Sequence, residues 1–253
     1  MRPFKITLLL SRQWLENRKL YATSAAALTG LLSLMFLVTW HWRSSFSGGV
    51  QKGIFLLGLF AGGGIFVSLV LRSLGNKSKG MWLLCLPASA GEKLATAFFV
   101  GILSYLVLYT GIFYTVETCF LWLVNDRHTK MQHTDLFENG FCQLAFTWLN
   151  IQLLVLLGSI CFNRLAFLKT LLLLIIGIPL LNMLNNYLLA VLTGIPEIDS
   201  SLLFDYFQFT HKGENVYVYL PDSGQRAVTI ILHYLLPVAL YFASLWKLKE
   251  KEL

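Results

Sequence analysis

YATSAAALTGLLSLMFLVTW, residues 21–40, is a run of twenty positions without one charged side chain. A helix rises about 1.5 Å per residue, so twenty residues match the roughly 30 Å hydrocarbon core of a bilayer. The run closes on Trp40, His41 and Trp42, aromatic residues of the kind that collect at a membrane–water boundary. Five further apolar blocks follow, at 53–73, 94–124, 144–163, 168–192 and 228–246. The block at 94–124 is longer than a perpendicular crossing requires, which points to tilt or to continuation beyond the bilayer. The reading is an all-α integral membrane protein with six transmembrane helices in one transmembrane domain over 1–253.

Composition agrees. Hydrophobic residues make up 56% of the chain and charged residues 13%, about half the share a water-exposed surface demands. The net charge of +7 falls in short clusters between the apolar blocks rather than along a basic stripe with exposed aromatics, so nucleic acid is not an expected partner. The clusters read as topology signals. With the amino terminus inside, 14 of the 20 Lys and Arg residues fall on the inner side, so both termini are expected in the cytoplasm. The first block begins too far from the start and is too long for a cleaved signal core, so none is expected.

Residues 1–20 precede the first span. Phe4, Leu8, Trp14 and Leu15 share one side of a helix and the basic residues take the others, as in a helix lying among lipid headgroups. The alternative is a cytoplasmic extension of the first span. Residues 194–227 separate the last two spans. Within them DYFQFT and NVYVYL flank HKGE, alternating runs around a glycine that read as a β-hairpin. Two short re-entrant helices are the competing form.

Chemistry within the spans is sparse. Glu117 and His233 are the ionisable candidates, read respectively as a carboxylate snorkelling to the interface and a satisfied interfacial histidine. No HExxH, Gly-x-Ser-x-Gly or Walker A motif occurs, so neither catalysis nor ATP hydrolysis is expected of this chain. The four cysteines show no metal-ligand spacing. Cys119 and Cys142 both fall near the outer face, where an oxidising compartment would let them pair, but two free buried thiols are the simpler reading. Asn182, Asn185 and Asn186 in the fifth span, with Asn150 and Gln152 in the fourth, are suited to interhelical hydrogen bonds. The functional alternative makes Asn182, Asn185, Asn186 and Gln152 the polar lining of a substrate path. The glycines Gly58 and Gly62 in the second span form a GxxxG pair, which lets another helix come close.

The stretch LGNKSKGMWLLCLPASAGEKLA, residues 74–95, lies between the second and third spans. A basic turn leads into an apolar patch, Met81 to Leu86, too short to cross. Pro87 breaks it, and Ser89 with Glu92 three residues on forms a capping box for the next helix. LPASAGEK, Leu86 to Lys93, resembles the LPAS-x-x-EK pattern of small bacterial type-2 ATP-binding-cassette transporter permeases, the exporter-type membrane subunits. The resemblance covers eight residues in motif and the whole chain in layout.

That resemblance implies a multi-pass protein of the bacterial cytoplasmic membrane. Its segment 73–93 would dock in a separate ATP-binding-cassette ATPase, which would carry the ATP and Mg. A second permease copy or a sister permease would complete the transporter. Met81, Trp82 and Leu83 would fill the ATPase groove, Lys77, Lys79, Glu92 and Lys93 would make rim contacts, and Leu86, Pro87 and Ser89 would belong to the same docking segment. The expected function is export of an amphiphilic substrate by alternating access. A non-transporting membrane partner, such as an assembly or sensor subunit, is the rival reading.

Overall fold

The computed structural model describes residues 3–42, 48–70, 89–125, 141–162, 165–194, 198–200, 206–211, 214–219 and 221–252. Among them are six helices long and apolar enough to cross a membrane. They are α1 (Pro3–Trp42), α2 (Gly48–Val70), α3 (Ala90–Val124), α4 (Phe141–Cys161), α5 (Ala166–Thr193) and α6 (Asp222–Lys251).

Residues 3–20 do not form a separate helix. They continue into the first span as one unbroken 40-residue helix, about 60 Å along its axis. The physical reason is local: neither Gly nor Pro lies between Phe4 and Leu28, so no breaker separates the amphipathic half from the apolar half. The extension of the first span is therefore the form observed, in place of a surface helix. α3 starts at Ala90, where the expected capping box is present with both of its bonds. The Ser89 hydroxyl accepts from the Glu92 N–H at 3.3 Å, and the Glu92 carboxylate accepts from the Ser89 N–H at 2.9 Å.

The core lies where α3 meets α1 and α2. Tyr105, Tyr109, Phe113 and Glu117 recur every four residues along α3 and are all buried, making one ridge. Phe36 of α1 meets Phe113 at 5.8 Å, and Phe55 of α2 meets it edge-on at 5.0 Å. α4 closes the far side of α2 with Trp148, Leu153 and Leu156. In lipid the hydrophobic effect gives apolar helices little reason to associate, so this interdigitation and the hydrogen bonds below hold them together.

α5 is the outlier. Only Thr170 near its start is buried, set against Gly158 of α4, and the large side chains beyond it are exposed. The helix runs through Pro179 without a break, as membrane helices tolerate. Gly194 ends it in a left-handed conformation, φ 73°, with its N–H donating to the Ala190 carbonyl at 2.9 Å.

Between α5 and α6 lies a three-stranded antiparallel sheet, β1 (Ile198–Ser200), β2 (Tyr206–His211) and β3 (Glu214–Tyr219), in that order. The hairpin reading of DYFQFT and NVYVYL is the one observed, with His211 opposite Glu214 and Tyr206 opposite Tyr219. The fold is therefore not wholly α. Alternating aromatic and β-branched residues about a short glycine-containing connection suit a pleated ladder better than a helix.

Candidate functional site: a polar seam along the second span

Among the described residues, three helices contain a π-helical turn: Gly58–Gly62 in α2, Phe99–Leu103 in α3 and Ile231–Leu235 in α6. A π turn widens the ladder and opens room beside the backbone, where in hydrocarbon no water can add a bond to a carbonyl. Side chains do so here. Tyr105 donates its hydroxyl to the Gly58 carbonyl at 2.8 Å, and Tyr109 donates to Phe55 at 2.9 Å. Trp148 Nε1 donates to Leu59 at 3.0 Å, and Gln152 Nε2 donates to Phe60 at 3.4 Å. In α3 the Ser104 hydroxyl donates to Phe99 at 3.1 Å, and in α6 the Leu232 carbonyl accepts from Asn150 Nδ2 at 2.9 Å.

Glycines make these approaches possible. A methyl group at Gly58 would collide with the Tyr109 hydroxyl, and one at Gly62 with the Tyr105 hydroxyl. At Gly63 it would lie 2.6 Å from Gln152 Nε2. The Gly58–Gly62 pair thus admits tyrosine hydroxyls to a helix backbone, a use of close approach different from the helix-on-helix contact expected of GxxxG. Beyond Phe113, the α3 ridge reaches Glu117 one turn on, while α2 reaches Gln51 one turn before Phe55. The antiparallel register puts the two side chains at one level. Both are buried, and neither is without a partner. Glu117 is 0% exposed, so it does not snorkel.

The sequence-derived residues distribute unevenly. Gln152 is fully buried beside α2, with Oε1 lacking a hydrogen-bond partner. Asn182, Asn185 and Asn186 are half-buried on the exposed helix α5, and Asn182 Oδ1 is enclosed without a partner. Asn150 and Gln152 make the interhelical bonds expected of them. His233 sits edge-on to Phe146 at 5.3 Å with Nδ1 2.9 Å from the Thr229 carbonyl, a satisfied histidine. Cys119 is free and exposed, which corrects the reading of it as buried and leaves it no disulfide. Lys77, Lys79, Met81, Trp82, Leu83, Leu86 and Pro87 lie outside the described residues. Glu92 and Lys93 are buried within the chain. The capping box turns Glu92 back onto Ser89.

Tyr105, Tyr109 and Trp148 are the seam residues that sequence reasoning passed over. Their signal was present as hydroxyl-bearing aromatics four apart on one face of an apolar span. The partner that gives the spacing meaning, a π turn in the backbone of another helix, has no signature of its own.

The fold and seam define a multi-pass helical membrane protein whose second span is held through its backbone by its neighbours. No protein-family model matches the chain, nor does any curated protein or solved structure.

Proposed function

We propose that the chain is the permease subunit of an ATP-driven exporter that moves an amphiphilic substrate by alternating access. The observation that carries this reading is the octapeptide LPASAGEK at Leu86–Lys93, together with the helix start it encodes through Ser89 and Glu92. Six apolar helices and the concentration of basic residues on one side support it. In this reading two permeases pair with two ATPases. Closure of the ATPases on ATP pushes the 73–93 segments, and the spans rock between inward- and outward-facing states. Met81, Trp82 and Leu83 fill the ATPase groove, and Lys77 and Lys79 contact its rim. Motion entering at Ser89 passes directly into α3, whose Tyr105 and Tyr109 bond the α2 backbone at its π turn and just before it. The second and third spans then move as one unit.

The test is co-purification from the native membrane of wild type and a Trp82→Glu/Leu83→Glu variant, with every bound subunit identified. An ATPase retained by wild type and lost by the folded variant supports the permease. A stable wild type that brings down no ATPase, even after crosslinking, ends this reading in favour of a non-transporting membrane partner.

A further inference from the structure

α4 and α5 are antiparallel neighbours that meet closely at one end. Thr170 of α5 lies against Gly158 of α4, where an added methyl group would collide with the threonine hydroxyl. The α4 residues that share the face of Gly158 are Leu154, Ile151, Thr147 and Leu144, at steps of four and three. The α5 residues that share the face of Thr170 are Leu174, Gly177, Leu181, Leu184 and Leu188, at the same steps. The two rows match rung by rung. With Thr170 on Gly158, an antiparallel register sets Leu174 opposite Leu154, Gly177 opposite Ile151, Leu181 opposite Thr147 and Leu184 opposite Leu144.

Burial falls along both rows together. Gly158 and Thr170 are buried, and Leu154, Ile151, Leu174 and Gly177 are half-buried. Thr147, Leu144, Leu181, Leu184 and Leu188 are exposed. The seam is thus made at its first rungs and open beyond them. The change falls at Pro179, between the rung of Gly177 and the rung of Leu181. Proline offers no N–H to the Ile175 carbonyl and its ring crowds that turn, so a helix bends there at least cost.

We propose that α5 closes on α4 along this seam with Pro179 as its hinge, bringing Leu181 onto Thr147 and Leu184 onto Leu144. The occupant of the exposed row is this chain's own helix, because the open rungs continue ones already made, in one register and with no charged side chain on either row. Lipid makes both forms accessible. An apolar face that leaves lipid for another helix gains little from the hydrophobic effect, so packing alone sets the balance. The structure beyond α5 can follow the movement. β1 packs against α5, so the sheet travels with it. After the sheet, Asp222–Ile230 of α6 buries no residue, and the π turn Ile231–Leu235 comes next, where Asn150 holds the Leu232 carbonyl. Closure goes beyond the permease reading, since it needs neither an ATPase nor a second copy.

Oxidative crosslinking of the full chain in nanodiscs tests the seam, with Cys85, Cys119, Cys142 and Cys161 each replaced by serine and disulfides within one chain read by peptide mapping. Leu154→Cys/Leu174→Cys spans a rung already made and should crosslink readily. Leu144→Cys/Leu184→Cys spans an open rung and should crosslink as α5 closes and brings the two Cα atoms within roughly 7 Å. Met183 lies about 100° around α5 from Leu184, off the seam. Leu144→Cys/Met183→Cys should therefore crosslink at least about tenfold more slowly. Thr147→Cys/Leu181→Cys is a second open rung and should behave as 144 with 184 does; all four positions are exposed, so cysteines there leave the core intact. Pro179→Ala restores the N–H for Ile175, straightens α5 along its docked first half, and should raise the 144–184 rate by about threefold or more. No crosslink at 154–174 overturns the register. A crosslink there with none at 144–184 or 147–181, or equal rates for 183 and 184, overturns the closure. A 144–184 rate indifferent to Pro179→Ala overturns the hinge.

Discussion

The Tyr105 hydroxyl donates to the Gly58 carbonyl at 2.8 Å, joining side chain to backbone across 47 residues, and it occupies the space where Gly62 has no Cβ. One atom thereby serves a carbonyl of the π turn and fills the notch that a glycine opens beside it. The neighbouring pair differs in a measurable way. At Gly62 an added methyl meets the Tyr105 hydroxyl first and the ring carbon Cζ only at 3.3 Å, whereas at Gly58 it meets Cζ of Tyr109 at 2.8 Å as well.

Gly62→Ala and Gly58→Ala should each destabilise the bundle by about 1–3 kcal/mol, the usual cost of overpacking. Tyr105→Phe should rescue Gly62→Ala, because removing the hydroxyl removes the collision. Tyr109→Phe should rescue Gly58→Ala poorly, because the ring still intrudes. Thermal unfolding of the four single and two double variants in nanodiscs checks this. Equal rescue of both glycine variants would show that the hydroxyls are not what the glycines accommodate.

Trp148→Phe keeps an aromatic ring beside α2 and deletes the donor that serves the Leu59 carbonyl at 3.0 Å. The expected loss is about 0.6–2 kcal/mol, the range of single hydrogen bonds between membrane helices. Hydrogen exchange of the Gly63 amide, which donates to Leu59 and Phe60, should speed up with it. No change in that amide would separate the indole from the π turn.

Ser89→Ala removes the acceptor for the Glu92 N–H and should cost about 1 kcal/mol, with faster amide exchange over residues 90–93. Glu92→Gln preserves the reciprocal bond that a capping box requires and should cost much less. Should the two variants exchange alike, the cap is not what starts α3.

Leu165 precedes α5 with φ 53°, a left-handed conformation that costs a branched residue roughly 1–2 kcal/mol. Its side chain is exposed, so little packing opposes a change. Leu165→Gly should raise stability by up to about 1 kcal/mol, after allowing for the freedom glycine gains when unfolded. A lower melting temperature for this variant would mean that the side chain is needed at the α4–α5 turn.

Much of the architecture was legible from runs of residues alone. The span at 21–40 needed only its length and lack of charge, because lipid excludes any backbone that is not internally bonded. The capping box at Ser89 and Glu92 was equally local, and so was the hairpin, whose alternation and turn lie within sixteen residues. Readings failed where local pattern allowed two forms. An amphipathic helix before a span is compatible both with lying on the surface and with extending the span, and nothing in residues 1–20 marks a break.

The chain's sequence by itself determined that six helices are long and apolar enough to cross a membrane, and that a hairpin stands between the last two. These follow from contacts within one helix or one turn, which the order of residues dictates. Only the tertiary structure decided that Tyr105, Trp148 and Gln152 converge on one π turn with Tyr109 bonded just before it, and that Glu117 and Gln51 share a buried level. Those relationships join residues 47 to 92 positions apart. In lipid, helices associate by shape and by which polar group finds which carbonyl, and neither is written in the periodicity of any one helix.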